Sequence, residues 1–213
     1  MSAISAPAGV ALAPEDEGRS QLYALLARLF AAGPDESLLR ALAQSPGSIE
    51  GDGELAQAWN ELAAAAADTS ARDATLEFDA TFIGVGKAPV TTYLSHYHPV
   101  SRKEIVLVEL RGTLVQLGLA RTAASAEPED NLTAVLEIMR HLVAAGSDAQ
   151  SLLRQREFFT RFLQPAYRGF CDAAHKANLS SYYSSAVRLL EVFVESDLAQ
   201  FEMGSIALGE PER

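Results

Sequence analysis

The chain has 213 residues, 48% hydrophobic and 21% charged, which is ordinary globular usage and excludes wholesale disorder. Its net charge of −11 argues against a nucleic-acid partner, which needs a basic surface; the acidity serves solubility or, if it has a binding meaning, a basic partner. A single cysteine, Cys171, excludes an internal disulfide and any multi-cysteine metal site and fits a reducing compartment; its apolar spacing beside Phe170 predicts a buried structural thiol.

Met1 to Pro14 is small and Ala/Pro-rich and reads as a frayed tail without the basic and apolar blocks of a secretory signal, so a cytoplasmic location is expected. No stretch approaches the roughly 20 apolar residues of a membrane span, so no membrane insertion is expected. Alanine and leucine dominate the apolar residues, which favours helix. The first helix is expected from about Glu15 to Ala32, with Leu22, Leu25, Leu26, Leu29 and Phe30 on one stripe. Gly33-Pro34-Asp35 stops it, and Asp35 or its neighbour caps a second helix through Leu38, Leu39 and Leu42. After a Gly/Pro/Ser loop, Glu54 to Asp68 predicts a third helix carrying Trp59. Ala71 to Ile83 predicts a fourth, with Leu76, Phe78 and Phe82 on or near one face.

From Gly84 to about 100 the helical period disappears. Gly84, Gly86, Pro89 and Pro99 interrupt a segment bearing Tyr93 and Tyr97, and a loop this long in a compact helical domain is usually functional or disordered; its tyrosines argue against disorder. Arg102 to Leu119 resumes the helix. Glu127-Pro128-Glu129-Asp130 is expected to open the next one, with proline at a first helical position and acids at the positive dipole end, and Leu132, Val135, Leu136, Met139, Leu142 and Val143 as its buried stripe. Asp148 to Phe162, Pro165 to Asn178 and Ser180 to about Met203 complete the set, and residues 204–213 read as a loose tail. No repeat or linker divides the chain. The expected architecture is all-α: one domain over 15–203, a bundle of about eight to ten helices with one long functional loop at about 84–100.

Several motifs invite a chemical reading. Gly84 to Lys87 lacks the full spacing of a phosphate-binding loop and no strand precedes it, so a glycine turn closing a helix is expected. His96 and His98 could present two imidazoles to a metal, but His141 and His175, the remaining histidines, do not complete a ligand spacing. The acids Glu127, Glu129 and Asp130 have no serine–histidine or cysteine–histidine arrangement nearby. No cofactor is expected. A long aromatic loop together with an acidic helix start suits a peptide that carries apolar residues beside arginines.

The same segments resemble the TorD family of redox-enzyme maturation chaperones, which includes DmsD-like and NarJ-like proteins. The family's E-Y-x-x-L-F-x-G-x-G and P-x-x-S-x-Y patterns stand here as Glu77-Phe78, Phe82, Gly84 and Gly86, then Tyr93-Leu94-Ser95-His96-Tyr97, with Pro89 in the family's proline-rich stretch. E-P-x-D-H-L with F-M-x-x-L appears as Glu127 to Leu132 and Ile138 to Leu142. F-F-x-x-H-L-x-P-W is matched by Phe158-Phe159, Leu163 and Pro165, and Tyr23 to Phe30 is similar to the family's first helix. Asn131, Phe162 and Ala166 depart from the family's histidine, histidine and tryptophan, and Asn131 keeps hydrogen bonding while removing a titratable group.

The resemblance implies a non-enzymatic chaperone for the catalytic subunit of a molybdopterin oxidoreductase. It would bind that subunit's twin-arginine leader, as a monomer or a domain-swapped dimer, and hold it before export until cofactor insertion. The binding residues it implies are Phe82, Pro89, Tyr93, Ser95 and Tyr97 with Glu127, Asp130 and Asn131. Two readings of other classes stay open at this level: a small-molecule-sensing regulatory bundle, which lacks a visible DNA-binding head, and a helical enzyme with a metal or a carboxylate pair.

Overall fold

In the computed structural model, residues 12–84, 87–100, 102–119 and 128–207 are described. They form α1 (Pro14–Ala31), α2 (Glu36–Ala43), α3 (Glu54–Ala67), α4 (Ala71–Phe78), α5 (Lys103–Gln116), α6 (Leu132–Ala144), α7 (Ala149–Phe158), α8 (Gln164–Lys176) and α9 (Ser181–Ala207). No strand occurs among the described residues, and the fold is the expected all-α domain. Asp35 caps α2 by accepting from the Leu38 N–H, as its position predicts. α9 continues past Met203 to Ala207, four residues into the stretch expected as a tail.

One core serves all the helices. α1 packs against α6, α3 against α9, and α8 against α9, burying Tyr23, Leu26, Leu29, Phe30, Leu62, Met139, Phe170 and Leu190 together. Cys171 lies fully inside this core, and burial pushes its thiol well up, which makes it the inert small hydrophobe its spacing implies. Leu76, expected on the apolar face of α4, is instead 58% exposed.

The first and last helices are joined by charge. Arg19 Nε donates to Asp197 Oδ1 at 2.7 Å and its Nη1 donates to Asp16 Oδ1 at 2.9 Å, while the Tyr23 hydroxyl donates to the same Asp197 carboxylate. Gln155 of α7 accepts from Arg19 and donates to the Leu142 and Gly146 carbonyls. Asp197 is 1% exposed, so this carboxylate is tolerable only because its partners surround it.

Two helices do not run as expected to their ends. α4 passes into one π turn at Asp79–Ile83, and α7 into another at Phe159–Leu163, before α8 continues. π turns of this kind cluster at functional sites. The first closes at Gly84, whose φ of +64° carries it into the left-handed region while its N–H donates to the Asp79 carbonyl at 2.7 Å. That is the glycine turn predicted from Gly84.

α6 begins later than the sequence suggested. Pro128 is not its first residue; Glu129 and Asp130 sit in a turn, and the helix opens at Leu132 with Asn131 as N-cap, its side-chain oxygen accepting from the Thr133 N–H at 2.9 Å. The local signals for a start at Pro128 are overruled by the loop at residues 87–100, which pairs with this strip of backbone.

Candidate functional site

The loop is held by backbone at four places. Tyr93 and Asn131 form an isolated antiparallel bridge, with Leu94 N donating to the Asp130 carbonyl and Leu132 N to the Thr92 carbonyl, each at 2.8 Å. Val90 N donates to the Thr81 carbonyl in the first π turn at 3.1 Å. Tyr97 lies on Gly169 of α8 and beside Phe170, and its hydroxyl donates to the Thr91 carbonyl at 3.0 Å. Burial raises the Tyr97 phenol to about 12, so it stays a neutral donor at physiological pH.

The fourth tie comes from His98. Pro165 stands four residues after Arg161 and has no N–H to give, so the Arg161 carbonyl lacks its helical partner. His98 Nε2 reaches that carbonyl at 3.2 Å, and the Val100 N–H donates to His98 Nδ1 at 3.3 Å. Both ring nitrogens are thus engaged, with the proton on Nε2. His96 has its Nδ1 2.6 Å from Lys103 Nζ, which has only protons to give, so its proton also sits on Nε2. The His-x-His pair therefore serves the loop, and among the described residues no group of three or more His, Cys, Asp or Glu is placed to hold a metal ion.

These ties frame a pocket of about 660 Å³. Its walls are aromatic and aliphatic (Phe30, Phe78, Phe82, Ile83, Pro89, Tyr93 and Tyr97), and its polar groups come from Lys87, Thr91, Thr92, His96, Asn131 and Thr133. Phe82, delivered by the π turn, is 4% exposed and sits among Phe30, Phe78, Phe170 and Tyr183 with ring centroids 5.3–6.3 Å apart, so it is at once core and pocket wall.

Of the residues singled out from the sequence, Phe82, Pro89, Tyr93, Tyr97 and Asn131 line this one pocket. Ser95 and Asp130 lie beneath it. Asp130 is 3% exposed and its carboxylate accepts from the buried Ser95 N–H at 3.3 Å, so it builds the loop from below. Glu127 lies outside the described residues. Glu129 pairs with Arg111 at 3.1 Å. Lys87, Thr91, Thr92 and the pair Phe30 and Phe78 were not foreseen as site residues; Phe30 and Phe78 carry only a core pattern in sequence, and what brings them to the pocket is the packing of α1 on α6 and of the π turn on α8. Glu77, the acid of the first motif, is also explained: it accepts from Ser180 N at 2.6 Å and from the Ser180 hydroxyl, holding the start of α9.

An all-helical domain whose loop and helix start are stitched into an aromatic pocket has a concave, largely apolar surface of the kind that binding proteins present. The model of the nitrate reductase delta subunit family matches residues 50–172, more than half of the chain. The chain belongs to that family, a NarJ/TorD-like family of redox-enzyme maturation chaperones and not of catalysts. Among solved structures, a protein described as a candidate redox enzyme maturation protein from Archaeoglobus fulgidus is similar at a TM-score of 0.54 and 18% identity, covering 83% of this chain and 91% of that one; at this identity the likeness concerns the fold. No curated protein sequence matches the chain. Among the described residues no helix is long and apolar enough to cross a membrane.

Proposed function

We propose that this chaperone holds the twin-arginine leader of a molybdopterin oxidoreductase's catalytic subunit in the pocket between residues 82–97 and the start of α6, keeping the subunit in the cytoplasm until its cofactor is inserted. The observation that supports this reading is the bridge between Tyr93 and Asn131, which joins two segments 38 residues apart into one aromatic wall of a size suited to peptide side chains. The chain's net charge of −11 adds a long-range attraction for a basic leader.

In this reading Ile83, Pro89, Tyr93 and Tyr97 cover the apolar part of the leader. Asp130 and Ser95 act indirectly, by fixing the loop. Calorimetry with twin-arginine leader peptides of molybdopterin oxidoreductase catalytic subunits tests the proposal. Ile83 and Tyr93 are 59% and 39% exposed, so the double change Ile83→Ser with Tyr93→Ser leaves the core intact. It should weaken micromolar binding by about tenfold or more, as buried apolar area is lost. Affinity unchanged in the double variant, or a leader that does not bind the native protein, overturns the proposal.

A further inference from the structure

The pocket mouth has the opposite sign from the protein. The chain contains three lysines, Lys87, Lys103 and Lys176, and two of them stand here. Lys87 lines the pocket, and Lys103 sits behind the lining residue His96 with its ammonium on Nδ1. Most arginines with an acid in reach are paired, as in Arg28–Asp35, Arg111–Glu129, Arg161–Glu109 and Arg168–Glu195. Neither lysine has a carboxylate partner among the described residues, and no described residue lining the pocket is acidic. His96 is held below its ordinary value by desolvation first, then by Lys103 and Lys87, so it faces the mouth as a neutral Nε2–H donor. Two ammonium groups without a carboxylate partner and an imidazole N–H beside an aromatic cavity are suited to an anion attached to an apolar group.

We propose that the mouth receives a carboxylate of the bound peptide, so that the segment entering the pocket is an aromatic or large aliphatic residue flanked by Asp or Glu, and the arginines of the leader lie outside it. This rests on the pocket being the leader site, and it assigns the pocket's share of the leader to an acidic, apolar stretch. An arginine placed at this mouth would face Lys87 and Lys103 with no acid among the described lining residues to offset them.

The test uses the full chain at low salt, with calorimetry and the His96 ring resonances as readouts. Three peptides are compared: acetyl-Leu-Phe-Glu-Glu-Leu-amide and its Gln-Gln and Arg-Arg counterparts. The Glu peptide should bind about tenfold tighter than the Gln peptide, and the Arg peptide weakest. Lys87→Gln with Lys103→Gln should erase the preference, so that the Glu and Gln peptides bind alike; both side chains are exposed, so the fold is not at risk. Equal binding of Glu and Gln peptides, no binding of the Glu peptide, tighter binding of the Arg peptide, or a preference that survives the double change overturns the inference whatever the leader does. A leader that binds without displacing the Glu peptide overturns the proposed leader site and leaves the preference of the mouth standing.

Discussion

Gly169 couples a helix to the loop at residues 87–100, and its replacement by alanine has an outcome whose sign can be worked out. Position 169 lies inside α8, where Gly→Ala ordinarily stabilises by about 0.5–1 kcal/mol. Here the added Cβ would lie 2.9 Å from Tyr97 Cβ and 3.1 and 3.2 Å from its Cδ1 and Cγ. The closest atom is bonded to backbone, so a ring rotation does not relieve it and the loop itself has to move. Overpacking of this kind costs about 1–3 kcal/mol, which outweighs the propensity gain. Gly169→Ala is expected to destabilise by about 1 kcal/mol, lowering the urea midpoint by about 0.5 M for a slope of about 2 kcal/mol per molar. It should also weaken leader binding, since Tyr97 and its bond to the Thr91 carbonyl shape the pocket. In a Tyr97→Gly background the obstructing atoms are gone, and the same change should stabilise by about 0.5–1 kcal/mol. Gly169→Ala stabilising the native protein would refute the reasoning, because it would mean that Tyr97 is not anchored.

Asp197→Ala removes the acceptor of Arg19 and Tyr23 and should cost about 3–5 kcal/mol in chemical denaturation, much of it regained by Arg19→Leu together with Asp197→Leu, since the burden is the orphaned charge. Glu77→Ala should cost about 1 kcal/mol and speed amide exchange at the first turn of α9, around Ser184, with little change elsewhere. Lys87→Ala with Lys103→Ala should raise the His96 titration midpoint seen by NMR, though not fully to its ordinary value, because desolvation, the first cause of its depression, stays. Between the ordinary and the lowered value the unfolded chain takes up a proton that the folded ring resists, so the contribution of His96 to stability falls as pH drops through that window; a midpoint unmoved by the double change would contradict the assignment.

The helices were legible because their apolar spacing and their stops are local: Asp35 caps where it should, Gly84 turns where it should, and Cys171 is buried as its neighbours imply. The start of α6 was misplaced because Pro128 and its acids carry the local signature of a helix opening, while the backbone pairing of Asp130 and Leu132 with the loop, a contact across 38 residues, fixes the actual one. The π turns escaped for a related reason, since residues 79–83 and 159–163 keep a helical composition and only the carbonyls taken by Val90 and His98 reveal what the irregularity is for. In the pocket, the tyrosines and Asn131 announced themselves through the interrupted period and the family resemblance. Lys87 and Lys103 did not, because their meeting at one mouth is a product of packing that no spacing encodes.

The clasp between Arg19 and Asp197 spans 178 positions of the chain. During synthesis the face of α1 that rests on α6 stays wet until residue 144 has emerged, and the guanidinium of Arg19 has only Asp16 of its own helix beside it until residue 197 follows. The clasp and the packing of α1 are thus completed only once α9 is available, and the pocket, one wall of which is Phe30 of α1, takes its shape late in the assembly of the bundle.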